Sequence, residues 1–93
     1  DQAFTPTTLA AFAATLGELE VYPYAEPIPG HPHVVAIIKN PEDKANFGGA
    51  WHSDTTYLEH PPGLTILYAV EVPAEGGDTL FADMCAAYEA LSP

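Results

Sequence analysis

The chain has 93 residues, 47% hydrophobic and 16% charged, with two Lys, no Arg and thirteen Asp plus Glu, for a formal charge of −11. That length holds one domain at most and leaves little material for a deep substrate pocket, while the apolar content argues against intrinsic disorder. The acidic balance repels nucleic acid and anionic lipid, and the lack of Arg removes the bidentate fork that usually grips a small anion.

The chain opens Asp1-Gln2-Ala3-Phe4, with no initiator Met and no basic region leading an apolar stretch, so it reads as a chain already under way. Thr5-Pro6 is a helix start, a Thr cap followed by Pro at the first helical position. Leu9, Phe12, Ala13 and Leu16 then form one apolar stripe, predicting an amphipathic helix over 6–16 that a left-handed Gly17 closes. Tyr22 to His33 carries Pro23, Pro27, Pro29 and Pro32 and reads as an extended loop. Val34 to Lys39 predicts a short strand, and Asn40 to Gly49 a polar loop. Ala50 to Leu58 favours a strand, broken by His60-Pro61-Pro62-Gly63. Leu64 to Val72 is the clearest strand, with Leu64, Ile66, Tyr68, Val70 and Val72 on one face. Pro73 to Gly77 is a turn and Asp78 to Ala82 a further strand. Asp83 caps a second helix with the stripe Met84, Ala87, Tyr88 and Leu91. Three or four strands with open edges make a partial sheet and a poor independent domain.

Cys85 is the sole cysteine, so no internal disulfide is expected, and a reduced, cytoplasmic setting is the default. No run of about 18 apolar residues predicts a transmembrane helix.

His52-Ser53-Asp54 is the focus of the chemistry. On a strand, residues i and i+2 face the same side, so His52 and Asp54 would present an imidazole and a carboxylate together. A neutral nitrogen beside an anionic oxygen suits a divalent metal of intermediate hardness. With one more His they would complete a two-His-one-carboxylate facial triad with open positions for other ligands. By itself the triplet reads more readily as a surface His beside an Asp. His31 and His33 read as solvated loop residues, His60 as a turn residue, Cys85 as a buried or half-buried thiol, and Trp51 as packing beside the His52 segment.

The surroundings of the triplet are more specific. Phe47-Gly48-Gly49-Ala50-Trp51-His52-Ser53-Asp54-Thr55-Thr56-Tyr57 is followed by Pro61-Pro62, by Tyr68-Ala69-Val70-Glu71-Val72-Pro73, and by Gly76-Gly77-Asp78-Thr79-Leu80-Phe81. A helix ending Tyr88-Glu89-Ala90-Leu91-Ser92 comes next. In order and spacing, this string closely resembles the taurine dioxygenase family of iron(II)- and 2-oxoglutarate-dependent dioxygenases, over nearly the whole chain.

The resemblance implies a mainly β fold with flanking helices (α+β), here part of a double-stranded β-helix, or jelly roll. Residues 1–93 would be the N-terminal part of a single dioxygenase domain, lacking its C-terminal part and inactive alone. It implies His52 and Asp54 as iron ligands, Thr79 as a donor to the distal carboxylate of the 2-oxoglutarate cosubstrate, and Tyr22 and Tyr57 near the substrate. The family's third ligand, a later His, and its cosubstrate Arg are not in this chain. Leu19 and Gly48 stand where the family places a substrate His and Asn, which points away from taurine itself. The implied reaction hydroxylates a small organic acid (a sulfonate, sulfate ester or aryloxyacetate) with dioxygen, releasing succinate and CO2. Neither nucleic acid nor membrane is an expected partner, and the full-length form admits a homo-oligomer. Two other readings compete: a non-catalytic jelly-roll binding module with a vestigial metal pair, and a hydrolase using His52 and Asp54 as acid and base. The hydrolase ranks last because no Ser or Cys stands in an activating context.

Overall fold

The computed structural model describes residues 2–92. Its regular elements are helix α1 (Pro6–Ala14), strands β1 (Pro27–Ile28) and β2 (His31–Val35), and helix α2 (Met84–Glu89).

Helix α1 starts where its cap chemistry dictates. The Thr8 N–H donates to Thr5 Oγ1 at 3.2 Å, and the Thr5 N–H donates to Thr8 Oγ1 at 2.8 Å. This reciprocal box satisfies two amides that a helix start otherwise leaves unpaired, and Pro6 at the first position loses no needed donor. Thr5→Ala is therefore expected to cost about 1 kcal/mol, read as a lower urea midpoint of the full-length protein. The far end differs from expectation. The helix closes at Thr15 in right-handed backbone, with the Thr15 and Leu16 N–H groups donating to the carbonyls of Phe12 and Ala13. A tightened last turn satisfies these carbonyls, so no left-handed Gly17 is needed.

The Pro-rich stretch expected to be a loop instead forms the hairpin. Strands β1 and β2 pair antiparallel, Pro27 opposite Val35 and Ile28 opposite His31, with an irregularity between Pro27 and Ile28. Pro29-Gly30 makes the turn, Gly30 taking φ 79 at the position where a type II turn demands it. Prolines fit here because a two-stranded ribbon has open outer edges that need no donor. His31 and His33 thus lie on a strand, and His33 Nδ1 is 3.1 Å from the Glu20 carbonyl. The predicted strand over 34–39 survives only as Val34 and Val35, the end of β2. Helix α1 lies against β2.

The expected strands over 50–58, 64–72 and 78–82 do not form among the described residues. Alternation marks a segment that can present two faces, but a strand exists only when a neighbour pairs its backbone groups. Of the face expected in the 64–72 segment only Ile66 and Tyr68 are half-buried; Leu64, Val70 and Val72 are as exposed as Leu67 on the opposite side, because no ladder holds the segment. Phe4 holds this segment to α1, its ring 5.4 Å from Tyr68 edge-on and 5.8 Å from Phe12, and the Tyr68 hydroxyl donates to the Gln2 carbonyl at 2.9 Å. The 73–77 turn forms as read, with Gly76 and Gly77 both at φ 75.

Helix α2 is capped by Asp83, whose Oδ1 accepts from the N–H groups of Cys85 and Ala86 at 2.9 and 3.0 Å. It ends at Glu89 with Ala90 as its cap, so Leu91 of the expected stripe lies beyond it. Cys85, expected to be at least half-buried, is exposed, because nothing covers this helix.

No described residue is fully buried. The accessible surface is 8565 Å², where a folded chain of this mass shows about 5,200 Å². The radius of gyration is 15.8 Å against about 12 Å for a compact chain of this length. Val70, Phe81, Ile38 and Tyr88 are each at least three-quarters exposed. The fold therefore consists of well-capped local pieces around large uncovered apolar faces.

Candidate metal centre

The His52 and Asp54 side chains meet, but not by strand alternation. The backbone is irregular here, and a turn closed by the Leu58 N–H on the Thr55 carbonyl at 3.0 Å follows Asp54 directly. His52 Nε2 lies 3.1 Å from Asp54 Oδ1, and both side chains are about half exposed, at 52% and 56%.

The other ring nitrogen settles the protonation pattern. His52 Nδ1 is 2.7 Å from the Ala50 carbonyl oxygen, which can only accept, so Nδ1 carries a proton and donates. In the neutral ring, Nε2 then holds a lone pair aimed at the same space as a carboxylate lone pair. Two acceptors at this separation need something positive between them: a proton, giving an imidazolium–carboxylate pair, or a cation. Two ligands about 2.1 Å from a six-coordinate divalent ion and at right angles stand about 3.0 Å apart. The observed 3.1 Å matches that bite. A backbone carbonyl on the non-ligating nitrogen is also the usual way a metal-binding His is oriented. The donor set therefore fits a divalent metal. Among the described residues, no cluster of three or more His, Cys, Asp or Glu side chains offers a complete site.

Thr55 is strained. Its φ is 46, unusual for a β-branched residue, and its hydroxyl is buried without a hydrogen-bond partner. The twist it introduces turns the chain immediately after Asp54. Glycine takes this φ freely, so Thr55→Gly is expected to stabilise the full-length protein by about 1 kcal/mol. A lower urea midpoint would show that no strain is stored there.

An open groove of about 650 Å³ adjoins the pair, with Trp51, His52 and Ser53 on one side and Leu80, Phe81, Ala82 and Met84 on the other. Trp51, expected to pack, is instead 70% exposed on this groove. Thr79 is next in the chain to Leu80, is exposed, and makes no side-chain hydrogen bond among the described residues. The structure thus brings Leu80, the residue after Thr79, to a groove that His52 also lines, without placing the Thr79 hydroxyl in a contact.

Tyr22 and Tyr57 belong to one aromatic cluster, joined by a residue that sequence reasoning missed. Tyr24 packs edge-on to Tyr22 at 5.7 Å and to Tyr57 at 5.8 Å. The Tyr-Pro-Tyr spacing of 22–24 is the only local signal for it. Partial desolvation, followed by the neighbouring Tyr22 and Tyr24, raises the Tyr57 phenol above its ordinary value, so it stays neutral to higher pH than a free tyrosine.

A family model described as "Taurine catabolism dioxygenase TauD, TfdA family" matches residues 1–93. The chain belongs to this family. Among curated proteins, it is 36% identical over 80 residues to an alpha-ketoglutarate-dependent sulfate ester dioxygenase of Pseudomonas putida, covering 86% of this chain and 26% of that protein. It is 30% identical over 95 residues to an alpha-ketoglutarate-dependent sulfonate dioxygenase of Saccharomyces cerevisiae, covering 94% of this chain and 23% of that protein. It is 51% identical over 41 residues to an alpha-ketoglutarate-dependent 2,4-dichlorophenoxyacetate dioxygenase of Cupriavidus pinatubonensis, covering 44% of this chain and 14% of that protein. The chain spans about a quarter of the length of the first two of these relatives. No solved structure gives a significant match. None of the described helices is long and apolar enough to cross a membrane.

Proposed function

We propose that residues 1–93 are the N-terminal part of one iron(II)- and 2-oxoglutarate-dependent dioxygenase domain of jelly-roll architecture, acting on a small organic acid of the sulfonate, sulfate ester or aryloxyacetate type. The observation that carries this reading is the 3.1 Å meeting of His52 Nε2 and Asp54 Oδ1, with Nδ1 committed to Ala50, in a chain of this family.

In this reading His52 supplies a neutral nitrogen and Asp54 an anionic oxygen to Fe(II), and a His from the rest of the domain completes the facial set. When bound, the iron with 2-oxoglutarate and dioxygen supplies C–H hydroxylation, and 2-oxoglutarate leaves as succinate and CO2. Thr79 donates its hydroxyl to the distal cosubstrate carboxylate, a role supported by Leu80 lining the same groove as His52. Tyr22 and Tyr57 wall the substrate side. A neutral phenol is a hydrogen-bond donor to an anionic substrate. The chain carries no Arg and a charge of −11, so the cation that holds the acids comes from the remaining part of the domain. The exposed faces of the 64–72 and 78–82 segments are those the remaining strands would cover. The lone Cys85 is exposed and free, which supports a reducing, cytoplasmic setting.

The test is an anaerobic titration of the full-length protein with Fe(II) and 2-oxoglutarate. A weak visible charge-transfer band that requires both components establishes the site. A folded protein without the band leaves the pair a surface ion pair and favours the non-catalytic binding module.

A further inference from the structure

Tyr24 has no part in the reading above, yet the aromatic cluster is joined through it. Pro23 fixes the backbone angle between Tyr22 and Tyr24. The turn at 23–24 is tethered just upstream, where His33 Nδ1 donates to the Glu20 carbonyl at 3.1 Å. Held there, Tyr24 meets Tyr57 from a distant part of the chain, edge-on at 5.8 Å. Tyr57 stands three residues after Asp54, so their Cα atoms are at most about 11 Å apart. The turn closed by the Leu58 N–H on the Thr55 carbonyl shortens that reach. The cluster therefore rises from the same short segment as the His52–Asp54 pair.

Rings that meet edge-on do not spend their faces on one another, and Tyr24 and Tyr57 stay 65% and 64% exposed. Such faces and edges are what a further aromatic ring packs on, by offset or edge-on contact. Tyrosine turns about only two side-chain bonds, so this wall loses little entropy when a ligand settles on it. A short alkyl chain would gain only the area it buries. We propose that Tyr24 is a specificity-determining residue, its ring packing on the aromatic body of the substrate and selecting an aryloxyacetate over an alkyl sulfonate or alkyl sulfate ester. The proposal rests on the dioxygenase reading of the His52–Asp54 site and narrows its substrate class. The acid group is left to the rest of the domain, because this chain carries no Arg.

The test uses the full-length protein loaded anaerobically with Fe(II) and 2-oxoglutarate. Calorimetry reads the binding of phenoxyacetate and of pentanesulfonate without turnover, and circular dichroism checks the fold of each variant. Wild-type protein is expected to bind phenoxyacetate the more tightly. Tyr24→Leu is expected to weaken phenoxyacetate binding about fivefold, the scale of a lost aromatic contact, and to change pentanesulfonate binding less than about twofold. Tyr24→Phe keeps the ring and is expected to restore phenoxyacetate binding. If Tyr24→Leu does not fold, Tyr24→Met, which keeps the length without the ring, decides by the same comparison. Wild-type protein that binds phenoxyacetate no better than pentanesulfonate overturns the proposal. So does a folded Tyr24→Leu protein that binds phenoxyacetate as the wild type does. Equal loss of both ligands, or failure of both ring-free variants to fold, also overturns it, by making Tyr24 a packing residue of the domain. A wild-type protein without the iron(II)- and 2-oxoglutarate-dependent band would instead sink the dioxygenase reading on which the proposal stands.

Discussion

His52→Ala in the full-length protein is expected to abolish the iron(II)- and 2-oxoglutarate-dependent band, and Asp54→Ala to do the same. The magnitude follows from what remains. Removing His52 leaves a lone carboxylate, half exposed and free to rotate, with no second donor from this chain to close a chelate. Removing Asp54 deletes the negative charge that offsets a divalent cation, while His52 stays oriented by Ala50. The two variants should therefore differ in a secondary way. Asp54→Asn keeps an oxygen near the same position and should retain weak binding, whereas His52→Ala should retain none. Both side chains are about half exposed in this chain, and circular dichroism of each full-length variant checks that the fold is kept. A band that persists in His52→Ala would show that the metal sits elsewhere. Loss of the band together with the fold would make the result a stability effect.

The isolated chain of residues 1–93 is expected to show no cooperative thermal transition, to bind a hydrophobic dye, and to lack turnover. It exposes roughly 3,000 Å² more surface than a folded chain of its mass. At about 25 cal/mol per Å², even 1,000 Å² of unburied apolar area forfeits about 25 kcal/mol, more than the whole stability of an ordinary domain. The local caps, each worth about 1 kcal/mol, cannot offset that. Differential scanning calorimetry on the isolated chain reads the outcome directly. A sharp endotherm whose calorimetric and van't Hoff enthalpies agree would mean that these faces find partners, for example in a second copy, and would refute the expectation. The full-length protein, scanned beside it, should show the cooperative transition that the fragment lacks.

These two expectations sit at opposite ends of the same structure. The His52–Asp54 pair is assembled by contacts within five residues, from Ala50 to Asp54, and so forms without a core. The surfaces around it are not assembled at all.

The sequence by itself determined whatever depends on neighbours along the chain. Thr5 and Asp83 cap the helices their positions announce, the turn at 73–77 forms where Gly76-Gly77 stands, and the His52–Asp54 motif in its string of flanking residues is enough to identify the family. All of these are interactions spanning a few residues, so composition and spacing carry them. Only the tertiary structure decided which extended segments pair. The Pro-rich stretch at 27–35 became the hairpin while the more regular 64–72 stayed unpaired, because a strand is defined by its neighbour and not by its own alternation. The same holds at the site. Tyr24 joins Tyr22 to Tyr57 through closeness in space that no period or motif records.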